Sequence, residues 1–368
     1  MNEKAQPIHP ILPRDVRNIL VILPSWVGDA CMATPVLRHL AQHRPSARIA
    51  TFGRTNLRPL MDGLPWINSF HPGAMRGTKA LGELRNIRAE HFDAVLLLPN
   101  SFRSAAFARL TGITHRAGTD RDGRGWLLNH RFAQEKSLQS AATAYASLAS
   151  WWTGVPLVDQ HIELHVTEQD RSAAQILLRE SSENSKDTTA PIRNLILLNP
   201  GANREDKRWP ADHFVRAARE LSLVRPAGDP PRTIAVNGGP AEAALCAEIA
   251  EKSGGIDLCS RGVMLGSLKA ILERTALLLT NDTGPRHIAA ALQTPTIALF
   301  GPTDCRWTPT DYPHERRLLS EPFLTEDRIA DDHSTLCAID RISVGDVMHA
   351  AQTLDQSLAA HERSRISR

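Results

Sequence analysis

The first unbroken apolar run, residues 18–23, reads NILVIL and stops at Pro24. A continuous run rich in β-branched side chains, rather than an alternating one, is the pattern of a strand buried on both faces of a parallel sheet. Similar runs occupy residues 47–52 and 94–98, each followed by a polar or glycine-bearing loop, and a helical pattern covers residues 30–42. The first half of the chain therefore predicts β/α repeats. The rhythm stops at residues 179–191, RESSENSKDTTAP, which hold no large apolar residue and read as a solvated linker. It restarts with four short apolar runs, each ending in a loop: 195–198 before NPGANREDKRWP, 233–236 before NGGP, 277–280 before NDTGP and 296–300 before GPTD. In the tail, Ser343 stands three positions before Asp346, and Val347, Ala351, Leu354 and Leu358 keep helical spacing, so one capped amphipathic helix is expected.

These patterns predict an α/β protein of two Rossmann-like, doubly wound domains with a cleft between them. The expected division is a first domain over 1–178, the linker over 179–191, a second domain over 192–342, and a helix and tail over 343–368. In such sheets ligands bind at the carboxyl ends of the strands, where the loops lie.

Composition narrows the function classes. The chain has 368 residues, 42% of them hydrophobic, and a net charge of +3, which suits a globular protein and not a general nucleic-acid binder. Its five scattered cysteines form no C-x-x-C pair and read as reduced thiols of a cytoplasmic protein. Neither a secretory leader nor a stretch long enough to span a membrane is evident. Charge is uneven, however: residues 54–131 carry 12 Lys and Arg against 6 Asp and Glu. A basic first domain fits an anionic acceptor or an acidic membrane surface, although dispersed arginines also fit a solvated face.

No phosphate loop of the G-x-x-x-x-G-K-[ST] type and no G-x-G-x-x-G after a strand is present, which removes the usual support for kinase and simple dehydrogenase chemistry. The strand-to-helix loops remain. In NDTGPRHIAAAL, residues 281–292, the turn Asp282, Thr283, Gly284 precedes Pro285, expected at the first helical position. Free N–H groups and the helix dipole there attract phosphate, and His287 is placed to donate to the same anion. The plainer alternative makes Asp282 or Thr283 a helix cap and His287 a surface residue. Lys207, in the loop after residue 198, is a natural counter-charge for a diphosphate or an ordinary solvated lysine, and Glu242 is placed to bind a ribose hydroxyl or to stand exposed on a helix. In the first half, Asp29 of PSWVGD stands at a helix start, where the dipole would hold it ionised as a proton acceptor or where it would act as an N-cap. Asn100, Ser101 and Arg103 of LPNSFRSA end another strand beside the expected cleft, although Arg103 equally fits a solvated helix residue.

PSWVGD, LPNSFRSA, GITHRAG with LLN, NPGA with KRWP, and NDTGPRHIAAAL with ALFGPT together resemble glycosyltransferase family 9, over residues 18–309, and PSWVGD with LPNSF points to its heptosyltransferase II branch. The resemblance implies the glycosyltransferase B fold, an ADP-heptose donor held mainly by the second domain, and a lipopolysaccharide inner-core acceptor, heptosyl-Kdo lipid A, on the first. It implies Asp29 as general base, inversion at the anomeric carbon, diphosphate stabilisation by Lys207 and the backbone of Thr283 and Gly284 with His287 nearby, and a hydrogen bond from Asp282 to the donor sugar. It also implies no cofactor and no bound metal, because cationic groups and helix dipoles take up the leaving-group charge. A cytoplasmic enzyme with peripheral contact to the inner membrane fits these substrates. The segment after Pro309 looks shortened relative to the family. Another family 9 transferase, an epimerase, or a nucleotide-sugar binding protein on the same fold are the alternatives.

Overall fold

The computed structural model describes residues 11–77, 79–134, 139–178, 194–224, 232–320 and 337–366. The chain divides into two compact units, residues 1–165 with 306–309, and residues 166–305 with 310–368.

In the first unit six strands, β1 (Asn18–Ile22), β2 (Arg48–Gly53), β3 (Ser69–Pro72), β4 (Ala94–Leu97), β5 (His115–Thr119) and β6 (His130–Phe132), form one parallel sheet in the order β3-β2-β1-β4-β5-β6. The central strands β1, β2 and β4 are the continuous apolar runs and are buried almost throughout, as strands covered on both faces must be. Helices α1 (Val27–Met32), α2 (Thr34–His43), α3 (Arg58–Met61), α4 (Lys79–Ala89), α5 (Phe102–Thr111) and α6 (Ala141–Thr153) complete the unit. The single helix expected over 30–42 is two helices, α1 and α2. Pro35 has no N–H to give to the carbonyl of Cys31 four residues back, so the helix breaks. The Thr34 hydroxyl donates to that carbonyl instead, at 2.8 Å.

The second unit repeats the plan with α7 (Glu168–Leu178), β7 (Leu195–Asn199), α8 (Ala211–Leu223), β8 (Thr233–Val236), α9 (Ala243–Ser253), β9 (Ile256–Asp257), α10 (Leu265–Glu273), β10 (Leu277–Asn281), α11 (Gly284–Ala291), β11 (Thr296–Phe300), β12 (Glu315–Leu319) and α12 (Val344–Ile366). Its sheet is also parallel, in the order β12-β11-β10-β7-β8-β9. Numbered by appearance within each unit, both sheets run 3-2-1-4-5-6. In that order the first and fourth strands are neighbours whose crossovers leave in opposite directions, which opens a crevice at their carboxyl ends. The loops at that point are PSWVGD and LPNSF in the first sheet, and NPGANREDKRWP and NDTGP in the second.

One expected boundary is corrected. Helix α7, placed in the first domain by a division at 178, clusters with the second unit because it packs on α10. Asp170 meets the buried ammonium of Lys269 at 3.2 Å, and the Arg171 guanidinium donates to both oxygens of Glu273. The expected linker over 179–191 lies outside the described residues, as does much of the segment that looks shortened. Nor is the tail a separate body. Helix α12 buries Val347, Ala350, Ala351 and Leu354 in the second unit's core with Trp209, Phe214 and Leu221 of the α8 region. Its start is a reciprocal box: the Asp346 carboxylate accepts from the Ser343 N–H at 2.9 Å, and Ser343 Oγ accepts from the Asp346 N–H at 3.1 Å.

Candidate active site

In the first unit Asp29 is the third residue of α1, and Trp26 rather than Asp29 holds the N-cap position. Its half-buried carboxylate takes no hydrogen bond from any described residue. Burial raises its pKa from the ordinary value, against the helix dipole that was expected to keep it ionised. Tyr145 of α6 lies close enough that the Asp29 charge adds to burial in pushing the phenol up. A carboxylate desolvated in this way, with its lone pairs unused, is a stronger base than a solvated aspartate.

The LPNSF loop is held from below by Arg124, a fully buried guanidinium that the sequence reading did not single out. It donates to the carbonyl oxygens of Thr119 (2.8 Å), Pro99 and Ser101, to Ser104 Oγ (3.3 Å) and to Asn100 Oδ1 (3.3 Å). Burial lowers its pKa to about 10, still far above neutrality. Asn100 is thus oriented by Arg124. Ser101 is the N-cap of α5, its hydroxyl accepting from the Ser104 N–H at 3.2 Å. Arg103 is exposed on the first turn of α5.

In the second unit three asparagines at strand ends fix the loops. Asn199 donates to Thr283 Oγ1 at 3.0 Å and accepts from Asn237 Nδ2 at 2.7 Å. Asn281 donates to the Pro200 carbonyl at 2.8 Å and accepts from the Trp209 N–H at 3.3 Å, and the Trp209 indole donates to the Ile342 carbonyl at 2.8 Å. The NPGA and KRWP turns are therefore tied to the NDTGP loop through side chains buried beneath them. Gly201 lies directly against the Glu242 carboxylate, so close that any Cβ there would collide with it. Glu242 in turn accepts from the Gly239 N–H at 2.8 Å.

Thr283 occupies the N-cap position of α11 without a side-chain cap bond, because its hydroxyl faces Asn199 and the Asn281 carbonyl. Gly284 is the first helical residue and Pro285 the second, one place later than expected. Lys207 lies near enough to Asp282 for its charge to act on that carboxyl. Burial nevertheless raises the Asp282 pKa, and Arg286 opposes the rise, with Nη1 at 3.0 Å from Oδ1. Arg286 is fully buried, donates twice to Glu315 of β12 at 2.9 Å, and stands 4.8 Å over the Phe300 ring. Burial works to raise Glu315 as well, but Arg286 and then Arg317 outweigh it and hold that carboxylate low.

His287 departs from expectation. It is not a surface residue: burial lowers its pKa to about 3, with Arg286 adding to the effect, so the ring is neutral under ordinary conditions. Its Nδ1 has no hydrogen-bond partner among the described residues. Lys207, Glu242, Asp282, Thr283 and Gly284 thus share one edge of the second sheet, while His287 lies behind it. The Arg286–Glu315 pair and the three strand-end asparagines were missed, because nothing in their local sequence separates them from solvated residues. A groove of about 780 Å³ lined by Ser222, Arg232, Gly255 and Asp257 lies at the amino ends of β8 and β9, away from these loops.

Comparison with known proteins bears on the family and the fold. The family model "Glycosyltransferase family 9 (heptosyltransferase)" matches residues 82–322. Lipopolysaccharide heptosyltransferase 2 of Escherichia coli K12 is 31% identical over 315 residues, 79% of this chain and 85% of that protein. The solved structure of E. coli ADP-heptose lps heptosyltransferase II superposes with a TM-score of 0.75 at 26% identity, covering 92% of this chain and 98% of that one. A family 9 glycosyl transferase from Veillonella parvula gives a TM-score of 0.78 at 20% identity, covering 95% and 99%, and supports the fold. No helix among the described residues is long and apolar enough to cross a membrane.

Proposed function

The chain belongs to glycosyltransferase family 9, and from that premise we propose that it moves heptose from ADP-L-glycero-D-manno-heptose to a heptose of the lipopolysaccharide inner core, with inversion at the anomeric carbon. The observation that carries the proposal is Asp29, a half-buried carboxylate of raised pKa with no hydrogen-bond partner among the described residues, in the first turn of α1 at the first sheet's switch point.

In this reading Asp29 takes the proton from an acceptor hydroxyl as that oxygen attacks the anomeric carbon from the face opposite ADP. The bond from that carbon to the diphosphate oxygen breaks, and its electron pair leaves with ADP. Lys207 and the backbone N–H groups of Thr283 and Gly284, at the positive end of α11, stabilise the charge that develops on the diphosphate. Glu242, held by the Gly239 N–H, presents its carboxylate to the ribose, and Asp282 accepts from a donor-sugar hydroxyl. Asn100 and Arg103 serve the acceptor on the first unit. His287 has no charge to offer the diphosphate and acts as packing behind α11. The enzyme works on the cytoplasmic side of the inner membrane and touches it peripherally.

Lys207→Ala should weaken ADP binding by about tenfold, the value of a charge-assisted hydrogen bond, as measured by calorimetry. Unchanged ADP affinity would remove Lys207 from the diphosphate site. The anomeric configuration of the new glycosidic bond, read by NMR, tests inversion; retention would contradict a single displacement with Asp29 as base.

A further inference from the structure

A guanidinium sealed from water is tolerated only where its N–H groups and its charge are met, so its partners show what fixes it. Arg286, in the first turn of α11, is such a group, with none of its side chain exposed. Its Nε and Nη2 donate to the two oxygens of Glu315 on β12, each at 2.9 Å. Nη1 donates to Asp282 Oδ1 at 3.0 Å, and the Phe300 ring lies against the guanidinium at 4.8 Å. A stitch between α11 and β12 needs only the Glu315 pair. The bond to Asp282 reaches further, because Asp282 precedes the helix, and its own N–H is tied to the Leu299 carbonyl of β11 at 3.1 Å. Backbone and one carboxylate oxygen are thus both anchored, while Oδ2 takes no hydrogen bond from any described residue. Since Glu315 occupies the fork, Asp282 is bound through a single oxygen and keeps lone pairs for a ligand.

Charges from three elements act on Asp282 among the described residues: Lys207 from the loop before α8, Arg286 from α11 and Glu315 from β12. Burial raises the Asp282 carboxyl, Arg286 and then Lys207 oppose the rise, and Glu315 adds to it. Glu315 itself faces Arg286 and Arg317, the neutral ring of His287, and the phenol of Tyr312, which burial and the Glu315 charge push up. One guanidinium is therefore shared between two carboxylates of opposite standing. Glu315 is held by two arginines, whereas Asp282 depends chiefly on Arg286.

We propose that Arg286 is a positioning residue of the donor site: backed by Glu315, it supplies the counter-charge and the fixed orientation that let the Asp282 carboxylate receive a hydroxyl of the donor sugar. The inference rests on the transferase reading for the identity of that sugar. It adds a division of labour within NDTGPRH. Thr283 and Gly284 serve the diphosphate through their backbone, Asp282 serves the sugar, and Arg286 acts on the sugar only through Asp282. Losing Arg286 should therefore affect ADP-heptose and spare ADP, which carries no sugar for Asp282 to hold.

The test has an arm that needs no substrate, so its failure is separate from failure of the transferase reading. The full chain is labelled with ¹³C at the aspartate carboxyls, and the Asp282 signal, identified by its absence in Asp282→Asn, is titrated by NMR. Arg286→Met should move the midpoint upward by at least about one pH unit, and Glu315→Gln, which removes the competing negative charge, should move it downward. The Glu315→Gln arm decides by itself if Arg286→Met does not fold. In the second arm, calorimetry at pH 6 should show ADP-heptose bound about tenfold more weakly by Arg286→Met, with ADP unchanged. Midpoints that stay in place or move in the same direction in both variants would overturn the proposal, as would equal losses for ADP and ADP-heptose. A wild type that binds ADP-heptose no better than ADP would contradict the transferase reading, while the titration still decides the role of Arg286.

Discussion

At Asp29 the dipole of α1 and burial act in opposite directions on one carboxyl, and burial prevails. The base proposed here needs this, and it has a thermodynamic consequence. Because the folded chain holds the Asp29 proton more tightly than the unfolded chain, stability falls as pH rises from the ordinary aspartate range through the raised folded value. Asp29→Asn should therefore be more stable than the wild type at pH 7, with the gain shrinking as pH falls towards 4, as chemical denaturation at several pH values would register. An equal or lower stability at pH 7 would mean that the carboxylate is well solvated after all. His287 carries the opposite sign. Its folded pKa of about 3 lies below the unfolded value of 6.5, so the stability it contributes is complete above 6.5 and is lost as pH falls through that window towards 3. His287→Gln should flatten this acid limb and leave ADP affinity at pH 7 unchanged. A large fall in ADP affinity would restore His287 to the diphosphate site.

Elements carry these residues to their places, and buried polar side chains at strand ends hold the elements. Arg124 serves the acceptor-side loop by filling the acceptors of Thr119, Pro99, Ser101, Ser104 and Asn100 at once. Arg124→Ala should cost about 3 kcal/mol in urea unfolding, because it leaves buried carbonyls unsatisfied, and should raise the acceptor KM. Arg124→Lys should recover little, since an ammonium lacks the planar fork that reaches several acceptors. Full rescue by lysine would show that charge alone matters. At this scale the sequence was legible where burial makes a residue run continuous. Strands β1, β4, β7, β8, β10 and β11 coincide with apolar runs, and the Ser343 and Asp346 box announces α12. The edge strands were not legible. HRF of β6 and ERRLL of β12 are polar because an outer strand needs less covering and charge there discourages pairing with other chains. Glu315 was hidden for the same reason: inside an arginine-rich strand it reads as solvated, and only the fold turns it inward to Arg286.

At the scale of the whole molecule, two sheets of identical strand order place the four motif loops at two switch points, one in each unit. The loops could be found in the sequence because each follows a buried strand and opens a helix, a sequence of events that leaves glycine, proline and capping residues behind it. What could not be read was which loop residues stay at the surface. His287 looks like a surface ligand by residue type and position, yet it is buried and neutral. The division of the chain was equally hidden, because α7 joins the second unit through Asp170, Arg171, Lys269 and Glu273, contacts made across about 100 residues of sequence. The measurement that bears most directly on the central claim is ADP release from ADP-heptose, with and without a heptosyl-Kdo lipid A acceptor, for the wild type and Asp29→Asn. Release should depend on the acceptor and fall by about 10² to 10⁴ in the variant, with ADP affinity retained. Release without acceptor, or release unaffected by Asp29→Asn, would contradict it.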